Sequence, residues 1–131
     1  MIFHSFFINI FMKANQSFNN EVFDTIDFKK NRFKNCFFYD CSFIRCNFDK
    51  SKFIDCYFNH CQFQFCNLNR CYFDNCYLSA LIEESKVKFS LFNACILEKT
   101  LFYETNWELT KFQESEKGCD FEECLNVPMN K

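Results

Sequence analysis

A large apolar residue returns at every fifth position from Phe18 to Leu78, through Phe23, Phe28, Phe33, Phe38, Phe43, Phe48, Phe53, Phe58, Phe63, Leu68 and Phe73, without a miss. An α-helix turns about 100° per residue, so five residues overshoot a full turn by about 140° and would smear these side chains around the cylinder. A flat strand alternates faces, so a step of five would send successive rings to opposite sides. Neither element accepts the pattern, whereas a chain that turns a corner in every unit does. Two positions ahead of the large residue runs a second series, small from Cys36 onward: Cys36, Cys41, Cys46, Ser51, Cys56, Cys61, Cys66, Cys71 and Cys76. The other three positions are mostly polar. Each unit therefore reads small, polar, large, polar, polar, with the small and large residues facing inward.

A second block continues in shifted register. Its large residues are Ile82, Val87, Phe92, Leu97, Phe102, Trp107 and Phe112, with Ala80, Ser85, Ser90, Cys95, Thr100, Thr105 and Thr110 as the small ones. The step from Leu78 to Ile82 is four, which predicts a kink or irregular turn over residues 79–84. Nine residues in place of ten separate Phe112 from Phe121, which predicts a small loop. The chain divides accordingly into an N-terminal apolar cap or dimerisation segment (1–17), a first repeat block (18–78), the register shift (79–84), a second block (85–112), and a loop with the C-terminal end (113–131).

This pattern resembles the pentapeptide-repeat family. The resemblance implies an all-β fold, a right-handed quadrilateral parallel β-helix with four pentads per coil, so that the large residues of the two blocks fill about five coils. A shorter stretch, Glu114-Ser115-Glu116-Lys117-Gly118-Cys119-Asp120-Phe121, resembles the loop of Qnr-type quinolone-resistance proteins. That likeness implies a dimeric, DNA-like protein that binds gyrase and topoisomerase IV, with Glu114, Ser115, Glu116, Lys117 and Gly118 as the partner-binding loop.

Composition closes off most chemistry. One glycine, Gly118, leaves no phosphate-cradling or nucleophile-elbow motif, each of which needs several positions without a Cβ. With only His4 and His60 there is no H-E-x-x-H zinc helix, and none of the 11 cysteines forms a C-x-x-C pair. The pentad puts Cys61 inside and His60 outside, so the pair diverges and makes no nucleophile and base. No enzyme, metal or cofactor is expected, and the thiols read as small core residues. A net charge of -2 argues against holding nucleic acid directly by charge. The apolar run Ile2–Met12 is too short to span a bilayer as a helix and lacks the flanks of a signal peptide. A soluble, cytoplasmic protein is expected.

If positions twenty apart stack, Phe37, Tyr57 and Tyr77 make an exposed aromatic stripe, and Lys30, Lys50 and Arg70 a basic one. Residues 1–78 carry nine basic and seven acidic side chains and residues 79–131 six and ten, so any anionic face belongs to the second half, with Glu98, Glu104 and Glu108 as its candidates. Two readings of partner stand beside each other. One is a DNA mimic that binds a type II topoisomerase, and the other is a scaffold for an unrelated protein. A truncated relative without function is the third possibility.

Overall fold

The computed structural model describes residues 12–115 and 118–128, and every regular element among them is a strand. The strands stack in parallel as the walls of a right-handed square column. The first wall is built from Met12–Ala14, Arg32–Lys34, Lys52–Ile54, Tyr72–Asp74, Leu91–Asn93 and Lys111–Gln113, paired in that order. The second wall contains Ser17–Asn19, Phe37–Tyr39 and the first parts of Tyr57–Gln64 and Tyr77–Glu83. The third contains Val22–Asp24, Ser42–Ile44, the second parts of those two long strands, Leu101–Tyr103 and Asp120–Glu122. On the fourth wall the coils touch through single bridges, Asp27 to Asn47 to Asn67 to Lys86 to Asn106 to Leu125. About five coils result.

The corners explain how a chain with one glycine turns so often. Two residues after each large one, the backbone enters the left-handed region, as at Asn35 (φ 54), Asp55 (φ 55) and Asn75 (φ 55). That conformation costs an ordinary side chain about 1–2 kcal/mol, and Asn and Asp less. The cost is offset because most corner N–H groups find an acceptor in the next coil, Asn35 to the Ile54 carbonyl at 2.9 Å for example. On the fourth wall an Asn side chain adds a second brace: Asn47 Oδ1 accepts from Asp49 N at 3.0 Å, and Asn67 Oδ1 from Asn69 N at 2.9 Å.

Inside, equivalent rings lie face to face one coil apart. Phe33, Phe53, Phe73 and Phe92 stack at 4.8, 4.7 and 4.6 Å. The small residues prove to be donors as well as spacers. Most of these thiols and hydroxyls reach the carbonyl of the inward residue one coil below: Cys56 to Phe33 at 3.3 Å, Ser51 to Phe28 at 2.7 Å, Thr100 to Leu78 at 2.8 Å. Cys, Ser and Thr are interchangeable here because all three fit the gap and carry a hydrogen to give.

Two boundaries differ from the sequence reading. Among the described residues the column already includes Met12–Ala14, ahead of Phe18, with Lys13 in a central core place (3% exposed) that its polarity hides in the sequence. Its ammonium lies 2.6 Å from Asn31 Oδ1 and 5.7 Å over the Phe33 ring. The four-residue step is confined to one joint: Asn59 faces Ser79 and Cys61 faces Ala80, so the corner residue equivalent to His60 is the one absent, and the strand Tyr77–Glu83 runs straight through. Glu84 then turns an ordinary corner (φ 49). Residues 1–11 of the expected cap lie outside the described residues.

Candidate functional surface

Because most corner residues hydrogen-bond to the coil above, corner side chains align in columns, and the function must be read from those columns. At the edge between the third and fourth walls the column is Thr25, Arg45, Phe65, Glu84, Glu104, Glu123. Beside it on the third wall runs Asp24, Ile44, Gln64, Glu83, Tyr103, Glu122. Three coils thus bring together five carboxylates, Glu83, Glu84, Glu104, Glu122 and Glu123. A shallow groove opens here, lined by Glu84, Lys86, Glu104, Thr105, Asn106 and Glu123 among others. The field is strong enough to hold the Tyr103 phenol above its usual range, through Glu104 first, then Glu123, with Glu84 and Glu122 adding.

The three carboxylates expected to form an anionic face are not together. Glu104 belongs to the acidic column. Glu108 sits on the fourth wall with Lys88 Nζ at 3.7 Å. Glu98 is on the turn that leaves the second wall, its Cα 3.7 Å from where a Cβ on Gly118 would sit. Sequence position alone grouped them; the column grouping needs the corner register and the two missing residues. Glu84, Glu104 and Glu123 are spaced 20 and 19 apart, and that second, shortened interval is the signal that could have found them.

The expected loop also divides. Glu114 is an exposed corner (φ 48). Ser115 is part of the core lattice, its hydroxyl donating to Phe92 O at 3.0 Å and accepting from Cys95 N at 2.9 Å, so it is spent on structure. Gly118 holds φ +37, a region where a Cβ is strained. Glu116 and Lys117 lie outside the described residues. The strand Asp120–Glu122 rejoins the third wall with Phe121 stacked on Phe102 at 5.3 Å.

Phe37, Tyr57 and Tyr77 do stack, at 6.1 and 4.6 Å, but half-buried rather than exposed. Tyr57 and Tyr77 lie face to face, Phe37 is tilted by 40° to Tyr57, and Tyr39 leans in at 5.9 Å from Tyr57. What reaches solvent is a narrow groove of ring edges ending at exposed Ile96. Lys30, Lys50 and Arg70 form the column between the fourth and first walls, with Arg70 2.8 Å from the buried carboxylate of Asp49. His60 points outward, 3.8 Å from Asp40, while Cys61 is buried with its thiol on the Phe38 carbonyl at 3.3 Å.

A family model described as pentapeptide repeats matches the chain in eight copies, over residues 23–59 and 56–80. No curated protein matches it. Among solved structures, trypsin-treated QnrB1, a plasmid-mediated fluoroquinolone resistance protein, is 18% identical over 86% of this chain and 73% of its own, with a TM-score of 0.45. HetL, a pentapeptide repeat protein involved in heterocyst differentiation regulation from the cyanobacterium Nostoc sp. strain PCC 7120, is 7% identical over 87% and 82%, with a TM-score of 0.38. A pentapeptide repeat protein from the thylakoid lumen of Arabidopsis thaliana is 18% identical over 91% and 69%, with a TM-score of 0.24.

Proposed function

We propose that this chain, a pentapeptide-repeat protein, acts without chemistry of its own, as a rigid column whose acidic edge occupies a basic protein surface built to receive DNA. The spacing of charge along that edge carries the reading. Glu83, Glu84, Glu104, Glu122 and Glu123 lie within three coils, and two coil rises of about 4.8 Å span about 10 Å. One negative charge then falls on about every 2.5 Å, against about 1.7 Å for duplex DNA. A stacked β-column presents those charges already ordered, so binding avoids the entropy cost of arranging a flexible acidic chain.

The partner we infer is the DNA-binding saddle of a type II topoisomerase, gyrase or topoisomerase IV, on the likeness of Glu114–Phe121 to the Qnr-type loop. Such a partner makes the protein cytoplasmic. Purified gyrase tests it: the protein should inhibit supercoiling at about micromolar concentration, lose that effect as salt rises, and restore activity in the presence of a fluoroquinolone. The triple variant Glu84→Lys, Glu104→Lys, Glu123→Lys should do neither while keeping its circular dichroism. If the wild-type protein neither inhibits nor protects, the topoisomerase reading fails. The groove beside Tyr57, Tyr77 and Ile96 supports a second reading, a scaffold for an unrelated protein, whose binding Tyr77→Ala would weaken and the triple variant would spare.

A further inference from the structure

We infer that a second copy of this chain docks upside down against the edge between the fourth and first walls, placing its own acidic edge on that column. The column reads upward Lys30, Lys50, Arg70, Phe89, Leu109. Its charged half is reinforced by exposed Lys29, Arg32 and Lys52. Phe89 (45% exposed) and Leu109 (69%) hold φ 58 and 56, a backbone region costly for bulky residues, and they spend that cost on facing water. The acidic edge, read downward, is Glu123, Glu104, Glu84, Phe65, Arg45, with Phe65 50% exposed at φ 55.

Set side by side in opposite directions, the two columns match rung for rung. Lys30 meets Glu123, Lys50 meets Glu104, Arg70 meets Glu84, Phe89 meets Phe65, and Leu109 lies on the stem of Arg45. The match extends over every rung because both columns rise by the same coil repeat, so aligning one pair aligns the rest. Parallel docking at equal height fails, since Lys50 would meet Arg45 and Phe89 would meet Glu84. A parallel docking staggered by three coils pairs the charges but leaves Phe89 and Leu109 uncovered. Among the described residues Lys30, Lys50, Glu84, Glu104 and Glu123 have no ion pair within their own chain, so each keeps its charge for a neighbour.

The contact is head to tail, so a pair of copies retains one free basic edge and one free acidic edge, and assembly is open-ended. It also covers the acidic edge, and so competes with any other basic partner. The inference rests on the columns alone and stands or falls without a topoisomerase. Sedimentation of the full chain at low salt should show the mass rising above the 16.0 kDa monomer with concentration, and returning to monomer at high salt. Lys50→Glu should weaken association about tenfold, and Lys50→Glu with Glu104→Lys should restore it. The pairing direction is read by Lys30→Glu: rescue by Glu123→Lys supports the antiparallel contact, and rescue by Glu84→Lys overturns it in favour of the stagger. Circular dichroism of each variant confirms folding. A protein monomeric at every concentration in low salt, or association indifferent to all these charges, overturns the proposal.

Discussion

At the scale of single residues, the core thiols couple this fold to pH. The hydrogen bond that each donates to a stacked thiol, and then burial, push Cys36, Cys61 and Cys66 up from their ordinary 9.0, while burial leads for Cys71 and Cys76. The stacked partners Cys41, Cys46, Cys56 and Cys95 are drawn the other way by the hydrogen bond that the neighbouring thiol donates. A group whose folded value is raised gives stability that is whole below its unfolded pKa and is lost as pH climbs above it. Each of these thiols then costs stability as pH climbs above about 9, while the lowered partners add stability only up to about 9 and leave the slope above it unchanged. Lys13 works against them: burial lowers its ammonium to about 8, so stability gains about 1.4 kcal/mol per unit between about 8 and 10.5. Five outweigh one. In reducing buffer the protein should unfold in a transition above pH 9, as the buried thiols are forced to ionise. Replacing Cys36, Cys61, Cys66, Cys71 and Cys76 by Ser, whose hydroxyl does not titrate there, should move the transition upward. An unmoved midpoint would mean that the buried thiols do not set it.

At the scale of elements, the repeat made the walls legible because both inward residues recur in every unit, from Phe33 and Cys36 through Phe73 and Cys76. What stayed hidden was whatever broke the alphabet of the repeat without breaking its geometry. Lys13 fills a core place with a charged side chain, and Ser115 looks like loop yet is a lattice donor. The step from Leu78 to Ile82 was visible, but a gap in period does not say which residue is gone. The pairing does: the absent one is the left-handed corner opposite His60, and the strand Tyr77–Glu83 passes from wall to wall without it. Restoring an Asn between Ser79 and Ala80 should therefore be tolerated, with a thermal midpoint within about 4 °C of the parent, about 1 kcal/mol for a chain of this size. The same insertion between Phe53 and Ile54 should abolish folding, because it would shift every later inward residue to the solvent side. Equal damage from both insertions would show that the joint is packed as tightly as a wall.

For the whole molecule, the distribution of charge separates what stability requires from what binding requires. Stacking Glu84, Glu104 and Glu123 one above another sets like charges at neighbouring rungs of a parallel sheet, an arrangement that destabilises by about 0.2–1 kcal/mol per adjacent pair. The elevated Tyr103 reports the same field at a neighbouring site. A column whose only task was to stay folded would gain by breaking that stack, as it does on other edges, where Asn75 donates to Asp55 at 2.8 Å and Asn35 to Asn15 at 2.7 Å. Glu104→Gln removes the middle charge and both repulsions at once. At low salt it should raise the thermal midpoint by about 4 °C, from about 1 kcal/mol for a chain of this length. In about 1 M salt, where screening acts within about 3 Å, the gain should vanish. The same variant should bind a basic partner less tightly, so stability and affinity move in opposite directions through one carboxylate. If Glu104→Gln lowers the midpoint, or raises it equally in high salt, the stack is not a repulsive field, and the acidic edge loses the physical basis for its proposed role.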